Sequence, residues 1–416
     1  MLGDRGSLLR PMTQAPADAA TPVVSAFYDR FPYPGDPLQD GPPPGYNWRW
    51  CVDAAYAATT GALPPRSAGQ PLRILDAGCG TGVSTDYLAH LNPGAEILAV
   101  DISAGTLDVA RERLRRSGGQ ERATVRIENR SLLDLDGEGP FDYINSVGVL
   151  HHLREPEAGL RALARLLRPG ALLHLFLYAD GGRWEIHRSQ RALTTLGVGC
   201  GEQGLRLGRQ LFAELPAHNR LRRHHEQRWA IDCAADANFA DMYLHPQETS
   251  YNLERLMAFV ASADLQFAGF SNPAVWDPAR LLQGELLERA QALPPLQQWQ
   301  LVEDLDPDIS HFEFFLSRGP LLRQTWADDH QLLAASGQRN PCLWGWPGTA
   351  LLDSDMAPLD LSPEGLELME AIEQCPASLP LSALPLDWPP ARVAAVARQL
   401  LAQRVLLLQP GAEPAA

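Results

Sequence analysis

The 416-residue sequence is poor in cysteine: six, at positions 51, 79, 200, 233, 342 and 375. No two stand in a CxxC pair, and their density is too low for a disulfide scaffold or a zinc site evident from spacing. No metal is therefore expected. Long apolar runs are missing too, with no stretch of about 18 such residues to span a bilayer. No early apolar segment has the length and flanks of a signal peptide. Together these absences lead to the expectation of a soluble, cytoplasmic protein with no membrane partner. Positive charge is scarce, with 35 Lys and Arg against 50 Asp and Glu, a formal net charge of −15. Phosphate-binding surfaces depend on clustered Lys and Arg. No nucleic-acid partner is expected, although short basic patches occur. Coiled-coil heptads and exact repeats are also lacking.

What the sequence does contain is organised around residues 72–82, LRILDAGCGTG. Leu72 to Leu75 is a short apolar run suited to a buried parallel strand. Asp76 follows it, then Gly78, Gly80 and Gly82, which allow a tight turn and close approach of backbone to a ligand. Val83 to Leu91 can begin a helix. Strand, glycine loop and helix form the opening unit of a nucleotide-type α/β fold. No Lys-Ser or Lys-Thr follows the glycines, so this is not a phosphate loop, and the full dinucleotide spacing is absent. Further strands are expected at 96–100, 123–128, 141–145 and 171–178, then at 265–270 and 308–316. Helices are expected between them, one of them stopped by Arg168-Pro169-Gly170. Asp101, closing the second strand, is placed to accept hydrogen bonds from ribose hydroxyls.

The LDAGCGTG stretch closely resembles motif I of class I S-adenosylmethionine-dependent methyltransferases, and Asp101 matches the acidic ribose ligand of their motif II. The resemblance implies an α/β, Rossmann-like methyltransferase sheet with S-adenosyl-L-methionine as cofactor. Asp76, Ala77, Gly78, Cys79 and Gly80 would hold its methionine part, Asp101 its ribose, and Ile102 would pack on adenine. Many relatives carry an Asp near position 131 for the adenine amino group. This chain has Ser131, so Ser131, the Leu132 amide or Asp134 is left for that role. Asn145 is expected to face the methionine part. Asp241-Met242-Tyr243-Leu244-His245-Pro246 is similar to a segment of a subset of these enzymes. It places Asp241 near the active-site entrance to orient the substrate, and makes His245 an acid-base candidate. His151 and His152 are read as steadying a turn, and His311 as packed.

The remainder divides into a flexible tail (1–20), an N-terminal extension or lid (21–69), a methyltransferase domain (70–318) with a helical insertion at about 179–240, and a C-terminal accessory region (319–416). The prolines of FYDRFPYPGDPLQDGPPPGYNWRW, residues 27–50, exclude a regular helix there, and the Tyr28 hydroxyl is a candidate for reaching substrate or cofactor. The aromatic N-terminus and the core are also similar to cyanobacterial asparagine methyltransferases acting on the phycocyanin beta-subunit, which implies that protein as a substrate. A small-molecule N- or O-methyltransferase is the alternative, and a noncatalytic protein-binding scaffold the third reading.

Overall fold

The computed structural model describes residues 21–66, 69–348 and 350–411. The tail expected over residues 1–20 lies outside them. Seven strands form one sheet: β1 (Arg73–Ala77), β2 (Glu96–Asp101), β3 (Thr124–Asn129), β4 (Phe141–Val147), β5 (Leu167–Tyr178), β6 (Gln266–Phe270) and β7 (His311–Ser317). Their order is β3-β2-β1-β4-β5-β7-β6. Strand β7 runs antiparallel to both neighbours. The central strands are apolar along their length because helices cover both faces. Ile74, Leu75, Ile144, Leu173 and Leu175 are all fully buried. Helices Pro156–Leu166 and Leu253–Ala261 contribute Leu160, Leu163, Leu256 and Phe259 to the largest core. Chain order reverses between β1 and β4. Open α/β sheets bind ligands at the carboxyl ends of the strands flanking such a reversal.

Helix Pro156–Leu166 ends before Pro169, which cannot continue it; β5 begins at once, four residues earlier than the expected 171. The Leu-rich stretch 395–408 reads from sequence as one short helix, which the structure corrects. The helix is Pro390–Ala402, the chain turns at Arg404 with φ of 55°, and Leu406–Gln409 pairs antiparallel with Ser336–Arg339. This C-terminal region has its own apolar core, including Leu332, Leu368, Met369, Val393 and Leu400.

Two accessory parts share a core. Phe27 and Phe31 of the N-terminal helix Thr21–Arg30 and its exit pack with Ile186, Leu193, Phe212 and Phe239 of the insertion. The N-terminal segment is also pinned to the sheet. Asp29 accepts hydrogen bonds from the Ser103 hydroxyl (2.7 Å) and the Gly105 amide (3.1 Å) at the start of helix Ala104–Ser117. A carboxylate is favoured there by the helix dipole. Extension and insertion thus form a joint roof over the β1–β4 switch point.

Candidate active site

Beneath that roof is a continuous cavity of about 680 Å³. One end lies over the glycine loop and is lined by Gly78, Cys79, Gly80, Asp101, Ile102, Ser131, Leu132 and Val147. The loop conformation depends on glycine at two points. Gly78 has φ of 82° and a Cβ there would stand 2.4 Å from Val149; Gly80 has φ of 53° and its Cβ would stand 2.5 Å from the Tyr33 carbonyl oxygen. The Thr81 amide donates to that same Tyr33 carbonyl at 3.0 Å. Side chains are excluded on both counts, and the loop backbone is left open to a ligand. Asp101 accepts from the Gly80 amide (3.0 Å) and the Ser103 amide (2.9 Å). A carboxylate has about four acceptor positions, so two remain for hydroxyl donors. Burial pushes the Asp101 carboxyl above its usual range. Ser131 caps a short 3-10 turn by accepting from the Leu133 amide at 3.2 Å. A floor of glycines, an acid at the end of β2 and apolar Ile102, Leu132 and Val147 fit a nucleoside carrying a short polar tail.

Asp76 lies under this floor rather than in the cavity. It is 1% exposed. One oxygen accepts from Ser84 (2.7 Å) and Thr85 (2.6 Å), the other from the Asn145 amide (2.8 Å). Burial raises its pKa, and the three donors act against that rise. Asn145 accepts in turn from the Trp50 indole (3.0 Å) and faces His174 Nδ1 at 2.9 Å. His174 Nε2 faces Glu313 at 3.2 Å. Glu313 also accepts from Ser271 (2.6 Å) and lies 2.7 Å from Arg49 Nε. That last contact is an ion pair rather than an aligned hydrogen bond, since Arg49 Nε has no well-directed acceptor. A polar chain therefore runs from the glycine loop through the sheet to β7 and the N-terminal extension.

The other end of the cavity is aromatic and polar, with Tyr28, Tyr33, Phe176, Tyr178, Trp229, His152 and Asp241. Asp241 is buried and accepts from Tyr28 (2.8 Å) and Tyr178 (3.2 Å). Burial, then the charge of Asp241, pushes both phenols up, so they act as donors and not as bases. Burial also raises the Asp241 carboxyl, which nearby His152 and the Tyr28 hydrogen bond counter. The Arg183 guanidinium stacks 3.5 Å from the Tyr178 ring centre. It is held by Glu248 at 3.0 Å. Burial would raise Glu248, but Arg183, His187 and His152 outweigh it and hold the carboxyl at about 2.

Of the residues singled out from sequence, Tyr28, Gly78, Cys79, Gly80, Asp101, Ile102, Ser131, Leu132 and Asp241 border the cavity. Asp76, Ala77, Asn145 and His245 stand behind its wall. Ala77 is fully buried, its carbonyl accepting from Ser146 at 3.1 Å. His245 packs on His152 with ring centres 3.8 Å apart. Burial depresses the His245 pKa strongly, so the ring is neutral. The sequence showed no metal-type set, yet the fold brings His152, Asp241 and His245 together, with one ligand atom of each within 4.8 Å of the others. His245 Nδ1 accepts from the Gln247 amide at 3.1 Å. Its Nε2 therefore carries the proton, which opposes metal ligation. Sequence reasoning missed Tyr33, Trp50, His152, Tyr178, Arg183 and Trp229 as cavity residues. Tyr178 had a usable signal, standing at the carboxyl end of a central strand.

Comparison with known proteins agrees with this geometry. A family model described as a methyltransferase domain matches residues 75–173. An uncharacterised protein of Synechococcus sp. (strain ATCC 27144) is 49% identical over 399 residues, covering 94% of each chain. An uncharacterised phycocyanin operon protein W of Pseudanabaena tenuis is 55% identical over 95 residues, 23% of this chain and 87% of that one. A ubiquinone biosynthesis O-methyltransferase of Xanthomonas euvesicatoria is 36% identical over 103 residues, 25% of this chain and 41% of that enzyme. The fold resembles PKMT2 from Rickettsia typhi, solved with AdoHcy, at a TM-score of 0.58 and 17% identity, over 89% of this chain and 78% of that one. Sheet, glycine loop and cavity define a class I S-adenosylmethionine-dependent methyltransferase, with S-adenosylmethionine as its cofactor. Within that class the chain belongs to the family of the Synechococcus protein that it matches over 94% of its length.

Proposed function

We propose that the enzyme methylates a hydroxyl or amino group of a small molecule inside the roofed cavity. The observation that carries this reading is that donor and acceptor ends form one space of about 680 Å³ under a shared roof. That volume is typical of small-molecule sites. Bound S-adenosylmethionine would supply an electrophilic methyl group there. Gly78, Gly80 and Asp101 would hold its methionine and ribose parts, and Ile102 and Leu132 its adenine. Tyr28, Tyr178 and Asp241 would orient the acceptor. Covering donor and acceptor with one roof would limit water and restrict the approach of the nucleophile, and such positioning is a recognised source of catalysis. The similarity to a ubiquinone biosynthesis O-methyltransferase supports a small acceptor. Among the described residues, the C-terminal region adds nothing to the cavity, whose wall ends at His311 in chain order.

A second reading, transfer to an asparagine side-chain nitrogen of phycocyanin beta-subunit, is supported by the similarity to a phycocyanin operon protein. One experiment separates the two. Extract from a strain lacking the enzyme is incubated with purified protein and methyl-labelled donor, then divided into small-molecule and protein fractions. Label in the small-molecule fraction is the expected outcome. Label confined to protein, removed by protease and mapped to asparagine, would replace the first reading with the second.

A further inference from the structure

We propose that His152, Asp241 and His245 enclose a single water molecule through which His152 takes the proton released by the acceptor. The inference rests on methyl transfer occurring in this cavity. Its starting point is Gln247, whose backbone fixes the two histidines in opposite tautomers. The Gln247 carbonyl lies 2.8 Å from His152 Nδ1, which must therefore carry a proton, while the Gln247 amide donates to His245 Nδ1 at 3.1 Å. His152 is left with a lone pair on Nε2, and His245 with an N–H on Nε2. The latter is buried and has no partner among the described residues. A buried donor without an acceptor is costly, at about 1–3 kcal/mol, and so calls for an occupant.

The geometry specifies that occupant. One ligand atom from each of the three side chains lies within 4.8 Å of the other two, a span that one water molecule can bridge. The side chains, with both Nδ1 atoms engaged by Gln247, offer one donor, His245 Nε2–H, and two acceptors, His152 Nε2 and the Asp241 carboxylate. Water accepts one hydrogen bond and donates two, the typical valence of a buried water. A divalent cation is disfavoured because His245 has no free lone pair to give.

The step balances. The acceptor's lone pair forms a bond to the methyl carbon as the carbon–sulfur bond breaks, and that bond's electron pair stays on sulfur. The acceptor's proton passes to the water, and a water proton passes to His152 Nε2. The imidazolium then faces the Asp241 carboxylate on one side and the Gln247 carbonyl on the other. The remaining groups around His152 are His151, Tyr28, Tyr178 and the Glu248–Arg183 pair. His245 is a positioning residue, holding the water by its N–H.

Two measurements test this. Selective ¹⁵N-histidine NMR of the full chain with S-adenosylhomocysteine reads the tautomers without any acceptor. His152 is expected as Nδ1–H and His245 as Nε2–H, with His245 still neutral at pH 6. An Nδ1–H tautomer for His245, or stoichiometric zinc retained through dialysis, would overturn the proposal. The second measurement is the labelled-donor assay. His152→Gln should lower kcat about 10²-fold, leave donor KM unchanged, and show a residual rate that climbs as pH rises and hydroxide replaces the lost base. His245→Gln, which keeps an N–H donor, should retain more activity than His245→Leu. Equal kcat in His152→Gln and wild type refutes the relay. Absence of methyl transfer by wild type to any acceptor would instead refute the functional reading, with the tautomers still deciding the water site.

Discussion

Glu313 does not line the cavity, yet it anchors the polar chain that ends under the glycine loop, and removing its charge has a calculable consequence. Its side chain is 18% exposed and lies 2.7 Å from Arg49 Nε, whose side chain is also 18% exposed. Burial alone would raise its pKa. Hydrogen bonding and charge from His174, with Arg49 and Ser271, reverse that and hold it at about 2 instead of the ordinary 4.5. That displacement corresponds to about 3 kcal/mol of native-state stabilisation at neutral pH. Residual solvent access reduces the expected value to about 2 kcal/mol. The sign follows from linkage. The folded pKa lies below the unfolded one, so the contribution is complete above 4.5 and is lost as pH falls from 4.5 towards 2. Glu313→Gln should therefore lower stability by about 2 kcal/mol at pH 7, and the gap to wild type should shrink by more than half near pH 3. Urea unfolding followed by circular dichroism at pH 7, 5, 4 and 3 measures it. A gap that stays constant across this range, or one below about 0.5 kcal/mol at pH 7, refutes the charge argument. Donor affinity gives a second readout, since loosening His174 and Asn145 frees one of the three donors holding Asp76.

Three further perturbations address the cavity itself. Gly80→Ala sets a Cβ against the Tyr33 carbonyl at a positive φ, so a cost of roughly 1–3 kcal/mol is expected together with weaker donor binding by calorimetry; unchanged affinity would show that the N-terminal segment does not shape the donor site. Asp101→Asn keeps the size but replaces one acceptor oxygen with a donor, and should weaken donor binding about tenfold while circular dichroism stays the same; equal affinity would remove Asp101 from ribose recognition. Tyr28→Phe removes one of two phenol donors to Asp241, a hydrogen bond to a charged group worth about 1.5–3 kcal/mol, and should lower kcat at saturating donor more than it lowers Tm; normal turnover would leave Tyr28 as packing alone.

The donor half of the site was legible because it is local in sequence. Strand, loop and acid follow one another between Arg73 and Asp101, and apolar periodicity with glycine chemistry is enough to place them. Local legibility had a limit even there. Asp76 looked like a ligand from its position before the glycines, yet it is buried and Ser84, Thr85 and Asn145 take three of its acceptor positions. Two of these donors lie within nine residues of it. The third comes from β4, and no spacing rule announced that contact.

The acceptor half was largely illegible because its parts come from distant segments. Tyr28 belongs to the N-terminal helix, His152 follows β4, Tyr178 ends β5, and Asp241 and His245 close the insertion. Each has an ordinary local reading: an amphipathic face, a turn, a strand end, a helix terminus. Their chemistry appears only when Phe27 and Phe31 enter the core of the insertion and bring Tyr28 onto Asp241. The two histidines show the same dependence. From sequence, His245 seemed the better acid-base candidate and His152 a steadying residue. The opposite hydrogen bonds from Gln247 leave His152 with the free lone pair and His245 with the fixed N–H, and the proposed relay exchanges those roles on that ground. A tautomer is set by a backbone contact that side-chain identity does not encode, so the assignment of base and positioning residue required the fold.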